Sequence, residues 1–399
     1  MRLPFFFILS IVMIDAMGIG LVMPIMPELI VEVQGGSLAN AAIWGGVLST
    51  AFAAMQFIFG PILGNLSDAY GRRTVLLVSL FVMALDYVVM AVAGSIWLLL
   101  IGRIVGGITA ATHATASAFM ADVSEPKDKA ANFGLLGAAF GMGFVLGPVI
   151  GGLLSEYGTR APFWAAAGLA ALTFCIGYFV MPETVTDKTR RAFSLKRANP
   201  LNSLNAIASL PGIRPLLWVY FLYSVSIYVY PAIWSYFTTE RFGWSPQMIG
   251  LSLGVYGIGM AIVQGGLIRP AIRFLGERGT IIYGMGFEII SFAFLAFLTN
   301  GLIALLLIPI TAIGAVITPA LQAMMSKATP DSQQGELQGV LTALHALSMV
   351  ISPLLMTSIF AQFIRPDTPL YLPGAPFLLA LVLMLAGFLL FRRSRPVVA

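Results

Sequence analysis

The chain has 399 residues, of which 10% are charged and 59% hydrophobic, whereas an ordinary soluble domain is about 25% charged. Too few charged side chains are present to cover a water-soluble globule, and the hydrophobicity is too high for a disordered chain. The net charge of +5 is not gathered on a soluble domain, which argues against nucleic acid as a partner, and a lone Cys175 rules out an intramolecular disulfide and a thiolate metal cluster, while two distant histidines argue against a zinc site, so no metal site is expected.

What remains is a polytopic all-α membrane protein whose principal partner is the lipid bilayer. Apolar stretches long enough to cross about 30 Å of hydrocarbon fall at 5–27, 42–65, 74–94, 97–120, 130–154 and 162–181. A polar stretch, 182–213, follows. Six more apolar stretches lie at 214–238, 247–271, 280–299, 301–325, 335–361 and 374–391. The first could imitate a signal peptide, but it has the length of a full span and contains Asp15, and no clear cleavage site ends it. It is read as a retained helix.

With the N-terminus inside, eighteen basic residues fall in cytoplasmic segments and three, Arg160, Arg241 and Arg365, outside. By the positive-inside rule this puts both termini in the cytoplasm. The expected organisation is a six-helix bundle over 1–181, a basic cytoplasmic linker over 182–213 and a second bundle over 214–399.

The halves repeat at a shift of 205 residues. Ala118, Met120, Gly134, Leu136 and Ala138 recur as Ala323, Met325, Gly339, Leu341 and Ala343. Gly71 maps onto Gly276 and Pro148 onto Pro353. Charges are not repeated: Asp68 maps to Arg273 and Asp122 to Lys327. Two parallel halves with a site at mid-membrane are a transporter architecture.

Between the second and third spans stands Gly64-Asn-Leu-Ser-Asp68-Ala-Tyr-Gly71-Arg72-Arg73. Read as residues, this is either a cytoplasmic turn with positive-inside arginines or a charge-assisted latch. The segment resembles the signature loop of the major facilitator superfamily, with Ala69 where a basic residue is usual. The resemblance implies a cytoplasmic gate made by Gly64, Asp68, Gly71, Arg72 and Arg73, with Asp122 as the acidic partner. Arg103-Ile-Val-Gly-Gly107 resembles that family's intramembrane arginine motif. Gly143-Phe-Val-Leu-Gly147-Pro148-Val-Ile-Gly151-Gly152 is similar to the motif of its drug/proton antiporters. Within that branch, Ile14-Asp15-Ala-Met-Gly-Ile-Gly-Leu-Val-Met-Pro24, Leu85-Asp86-Tyr87, Glu240-Arg-Phe-Gly-Trp244, Phe292-Ala-Phe-Leu-Ala-Phe297, Pro319-Ala-Leu-Gln322 and Leu337-Gln-Gly339 resemble the tetracycline/proton antiporters.

Four charged residues, Asp15, Asp86, Arg103 and Glu288, fall within spans, where an ionised group costs about 2.5–3.5 kcal/mol on insertion scales. One arginine neutralises one or two acids at most. The rest are candidates to carry a proton or a cationic ligand. The resemblance makes Asp15, Asp86 and Glu288 the proton-coupling set. Substrate binding is expected on Asp15, Phe52, Gln56, Asp86, Arg103, His113, Met260, Gln264, Glu288 and His345. Met260 stands where the antiporters have histidine, and Glu288 where they have aspartate. His113 and His345 are either the missing titratable imidazole or hydrogen-bonded interior residues. Phe52, Tyr87, Tyr230, Trp234 and Tyr256 are either packing residues or the wall of an aromatic cavity.

The expected function is a proton-coupled exporter of amphiphilic drugs in the bacterial inner membrane. It is expected to act as a monomer and not as an enzyme. No bound cofactor is expected: the proton is the coupling ion, and Mg²⁺ travels with the drug as its chelate. The rival readings are a proton-coupled carrier of a sugar, siderophore or other metabolite, and a transporter-like sensor that does not cycle.

Overall fold

The computed structural model describes residues 2–110, 112–125, 127–187, 190–194, 199, 207 and 210–394. Part of the expected linker, including Lys188, Lys196 and Arg197, lies outside the described residues, as does Arg395.

Among the described residues every regular element is helical. The first half holds α1 (Arg2–Val22), a short helix Met26–Gln34, α2 (Leu38–Tyr70), α3 (Arg72–Val92), α4 (Ile96–Thr109 and Thr112–Val123), α5 (Lys129–Leu154) and α6 (Ala161–Val180). The second half begins with α7 (Arg214–Ile227 and Val229–Phe242). A continuous run follows: Pro246–Ile262, a π-turn Val263–Leu267 and Ile268–Phe297. Then come α10 (Gly301–Thr311, a 3₁₀ turn Ala312–Val316 and Ile317–Lys327), α11 (Gln334–Ile364) and α12 (Ala375–Arg393).

The run Pro246–Phe297 has 52 residues, about 78 Å at 1.5 Å per residue, more than twice the hydrocarbon thickness. It is two crossings. Gly276 breaks it with φ 68° and ψ 169°, so α8 covers 246–275 and α9 covers 277–297. Eleven described helices are long and apolar enough to span; dividing this one gives the twelve expected crossings.

Most boundaries shift by a few residues, and two of the shifts have a clear physical reason. The first span ends at Val22 rather than residue 27, because Pro24 has no amide donor and Pro27 stands in the first turn of the short helix. The expected loop at 64–73 shrinks to one residue. Helix α2 continues through Gly64 and Asp68 to Tyr70, and α3 starts at Arg72. Gly71 makes the turn alone with φ 112°, a conformation that suits glycine because it has no Cβ. Its repeat-mate Gly276 also has positive φ, and Pro148 and Pro353 both lie inside helices. The repeat is therefore one of backbone shape as well as of sequence.

Two compact units emerge. One comprises Met1–Gly36, Ala51–Asn199 and Ser245–Gly254; the other comprises Ser37–Thr50, Pro200–Trp244 and Val255–Ala399. Each takes in the first turns of one helix from the other sequence half. In the first unit, Gly250 of α8 rests against the Pro148 carbonyl and Gly254 against Val149. In the second, Gly45 of α2 rests against Tyr236 and Gly46 against Thr357, and Thr50 donates to the Val350 carbonyl at 3.0 Å. Gly45 and Gly250 are again 205 apart.

The core of the first unit is apolar. Ile8, Ile11 and Val12 of α1 pack with Leu76 and Leu80 of α3, Phe119 and Met120 of α4 and Leu136 of α5. Each buried side chain of this size contributes about 1.5–3 kcal/mol in water. In lipid the attraction comes instead from close packing. The α5 glycines serve it: a Cβ on Gly143, Gly147 or Gly151 would strike the α1 backbone at Met13, Met17 or Leu21. Gly152 faces Pro246 and Gln247 of α8 in the same way.

Candidate functional site

The first unit holds a charged cluster. The carboxylate of Asp86, on α3, is 6% exposed and lies against Gly102 and Gly106 of α4, where any larger residue would displace it. It forms an ion pair with Arg103, one turn along that glycine face. The guanidinium also lies 5.2 Å from the Phe52 ring and 2.8 Å from the Met90 sulfur. Among the described residues, Asp86 Oδ1 and Arg103 Nε have no hydrogen-bond partner, so the pair retains one acceptor and one donor for a further group.

Asp15 is not paired with Arg103. Its carboxylate accepts a hydrogen bond from Thr112. Helix α4 breaks at Ala110, and Thr112 opens its second piece. The break frees the Ala110 carbonyl, which accepts from Gln56 Nε2 at 3.2 Å. Gln56, expected to bind substrate, is thus seen closing a backbone gap, as polar side chains do within membranes. Tyr87 packs under Gly18 of α1, within electrostatic reach of Asp15, Asp86 and Arg103. The His113 side chain lies outside the described residues.

The second unit holds the third acid. Glu288 is 1% exposed and accepts a hydrogen bond from the Tyr230 hydroxyl at 3.3 Å. It packs against Gly314 in the 3₁₀ turn of α10, where a Cβ would overlap it. Tyr230 sits among rings, with centroids at 5.5 Å to Phe292, 5.9 Å to Phe377, 6.2 Å to Tyr256 and 6.5 Å to Trp234. Phe292 and Phe377 are fully buried. Tyr230, Trp234 and Tyr256 thus stand together in one aromatic cluster of this unit. Met260 is half-buried on α8, and Gln264 is exposed in its π-turn. Such turns widen a helix locally and often mark functional sites.

His345 lies elsewhere in that unit. With Tyr220, Tyr223, Ser224, Thr318 and Gln322, it lines a cavity of about 360 Å³. These neighbours were not singled out from the sequence as site residues. Their signal was helical spacing of polar residues in apolar spans.

On the expected gate, Arg72 pairs with Asp68 and places Nε 3.3 Å from Asp122 Oδ2. Ser67 accepts from Arg72 at 2.6 Å, and Thr184 donates to Asp122 at 2.9 Å. Glu183 accepts from the Arg72 amide at 2.8 Å and from the amides of Thr184 and Val185. Arg73 instead reaches the Tyr178 carbonyl at 2.5 Å. Gly64 has open space where a Cβ would be. Ser67, Glu183 and Thr184 were not foreseen. At the repeat-related place, Lys327 Nζ lies 2.6 Å from Glu277 Oε1. Residues 277 and 327 correspond to 72 and 122, so the ion pair is repeated with its signs exchanged.

The Major Facilitator Superfamily model matches residues 8–234 and 216–399. The tetracycline resistance protein, class C, of Escherichia coli is 43% identical over 89% of this chain and 89% of its own. The class G protein of Vibrio anguillarum is 39% identical over 88% and 89%. The crystal structure of the nucleoside transporter NupG superposes with a TM-score of 0.81 over 99% of this chain and all of that one, at 10% identity. The chain is a multi-pass membrane protein that belongs to the Major Facilitator Superfamily and, within it, to the family of the tetracycline resistance proteins.

Proposed function

We propose that the chain is a proton-coupled exporter of amphiphilic drugs, tetracycline among them, working by alternating access. It resides in the bacterial inner membrane as a monomer with both termini cytoplasmic, and its functional halves are 1–181 and 214–399, joined by the linker 182–213. The observation that carries this reading is the inequality of the three intramembrane acids. Asp86 has a cationic partner, whereas the partners identified for Asp15 and Glu288 are the hydroxyls of Thr112 and Tyr230.

A carboxyl withdrawn from water is unstable as a bare anion. It must hold a proton or a cationic ligand, and it cannot hold both. Asp15 and Glu288 therefore exchange the two. The proton leaves when drug arrives on one side of the membrane and returns when drug leaves on the other. Tyr230 holds the Glu288 carboxylate in place during the exchange, and the Asp86–Arg103 pair presents its free Oδ1 and Nε to the drug. Asp68, Arg72, Arg73 and Asp122 gate the cytoplasmic side. Mg²⁺ enters only as part of a chelated drug. A net charge moved through 100 mV supplies about 2.3 kcal/mol, roughly a 50-fold gradient; where the charges of drug and proton cancel, only the pH difference contributes.

The test is growth of an efflux-deficient host on a drug panel, with and without collapse of the proton gradient. Expression is expected to raise tolerance of tetracycline, and a protonophore is expected to remove the gain. Tolerance that survives the protonophore contradicts proton coupling, and no gain for any drug contradicts export.

A further inference from the structure

The cavity in the second unit takes polar groups from three helices, α7, α10 and α11. On α11, Gln338, Thr342 and His345 are exposed and lie at i, i+4 and i+7, one face of the helix. A row of amide, hydroxyl and imidazole groups is costly against lipid, so such a face belongs on a polar cavity. The other walls agree. Tyr220, Tyr223 and Ser224 of α7 and Thr318 and Gln322 of α10 add further polar groups, and Ile227 and Leu341 complete the lining.

Part of this lining is already tied together. Thr318 donates to the Tyr223 hydroxyl at 3.1 Å, the Tyr220 hydroxyl is hydrogen-bonded with Gln322 and Ser224, and the Thr342 hydroxyl donates to the Gln338 carbonyl. The His345 ring stands 5.6 Å from that of Tyr228. Among the described residues, no carboxylate, lysine or arginine lines the cavity. Its volume, about 360 Å³, is at the small end for ligand pockets and suits part of a drug-sized molecule.

We propose that this cavity is a subsite for the uncharged, oxygen-rich edge of the transported molecule, a run of hydroxyl, enol and carbonyl groups, held by Gln322, Gln338 and His345. The proposal rests on the exporter reading and divides the labour within it. The acids meet the charge of the substrate. The cavity reads its neutral hydrogen-bonding pattern, which selects strongly because an unmatched polar group left inside is penalised. A lipophilic cation without oxygen atoms gains nothing there.

The experiment measures equilibrium binding to the purified full-length protein with no gradient imposed. The probes are tetracycline, which carries such an edge, and tetraphenylphosphonium, which does not. Gln338→Leu and His345→Phe are each expected to weaken tetracycline by roughly three- to tenfold relative to tetraphenylphosphonium. His345→Gln, which keeps a neutral hydrogen-bonding group, is expected to restore most of the loss. Gln322→Leu, on another helix, carries the same expectation and serves where an α11 variant does not fold. Unchanged tetracycline binding, equal weakening of both probes, or no rescue by glutamine overturns the subsite. Absence of tetracycline binding by the wild type overturns it too, whereas intact binding with no proton-driven uptake strikes only at the exporter reading.

Discussion

Changing one oxygen to nitrogen has different consequences at the two most buried acids. Asp86→Asn strips Arg103 of its counter-charge inside the protein. Breaking a buried pair in this way costs about 3–5 kcal/mol, so a marked fall in thermal stability of the purified protein is expected, with much of it regained in Asp86→Asn/Arg103→Met. Glu288→Gln leaves a carbonyl oxygen to accept the Tyr230 bond. It is expected to unfold near the wild-type temperature while losing proton-driven transport. Equal stability losses at both positions would show that the Arg103 pairing is not what distinguishes them. The presence of the four intramembrane charges was legible, because each interrupts an apolar run. Their partners were not. Thr112 becomes the neighbour of Asp15 through a break at Ala110, and the Gly106-Gly107 pair a turn earlier is itself helical and does not mark where the break falls. Gln56 was singled out for a ligand, and the structure gives it the Ala110 carbonyl.

Along α5, glycines of one composition have two environments. Gly147 touches the α1 backbone at Met17 and Gly20, whereas Gly137 and Gly141 have nothing within reach of a Cβ. Gly147→Ala is expected to destabilise by about 1–3 kcal/mol through overpacking. Gly137→Ala is expected to be neutral or to stabilise by up to about 1 kcal/mol through helix propensity. Thermal unfolding of the two variants side by side checks the contrast. At the α2–α3 and α8–α9 turns, Gly71 and Gly276 share positive φ, and the neighbouring pairs Arg72–Asp122 and Glu277–Lys327 carry opposite polarity. Glu277→Lys places two like charges together and is expected to reduce transport. The exchange Glu277→Lys/Lys327→Glu is expected to restore it, and failure of the exchange would show that the polarity itself matters. The spans were legible because length and hydropathy fix them. The extent of α2 was not, since the polar stretch before Gly71 reads as loop and yet stays helical.

At the scale of the molecule, the 205-residue repeat accounts for more than the twelve crossings. It also relates the two helices, α2 and α8, whose first turns pack within the unit of the other sequence half. A sequence reading assigns whole helices to halves, because it has no means to see a helix divided between two packing environments. The polar face of α11 was equally open to reading, since Gln338, Thr342 and His345 follow helical spacing, but its meaning depends on the facing residues of α7 and α10. The central claim is that drug and proton exchange on acids held within the membrane. Its most direct test is proton flux in proteoliposomes under an imposed pH gradient, read as tetracycline is added. Wild type is predicted to move protons against drug, and Glu288→Gln to move neither while still folded. Proton movement by Glu288→Gln equal to wild type, or drug transport by wild type with no proton movement, would contradict the account.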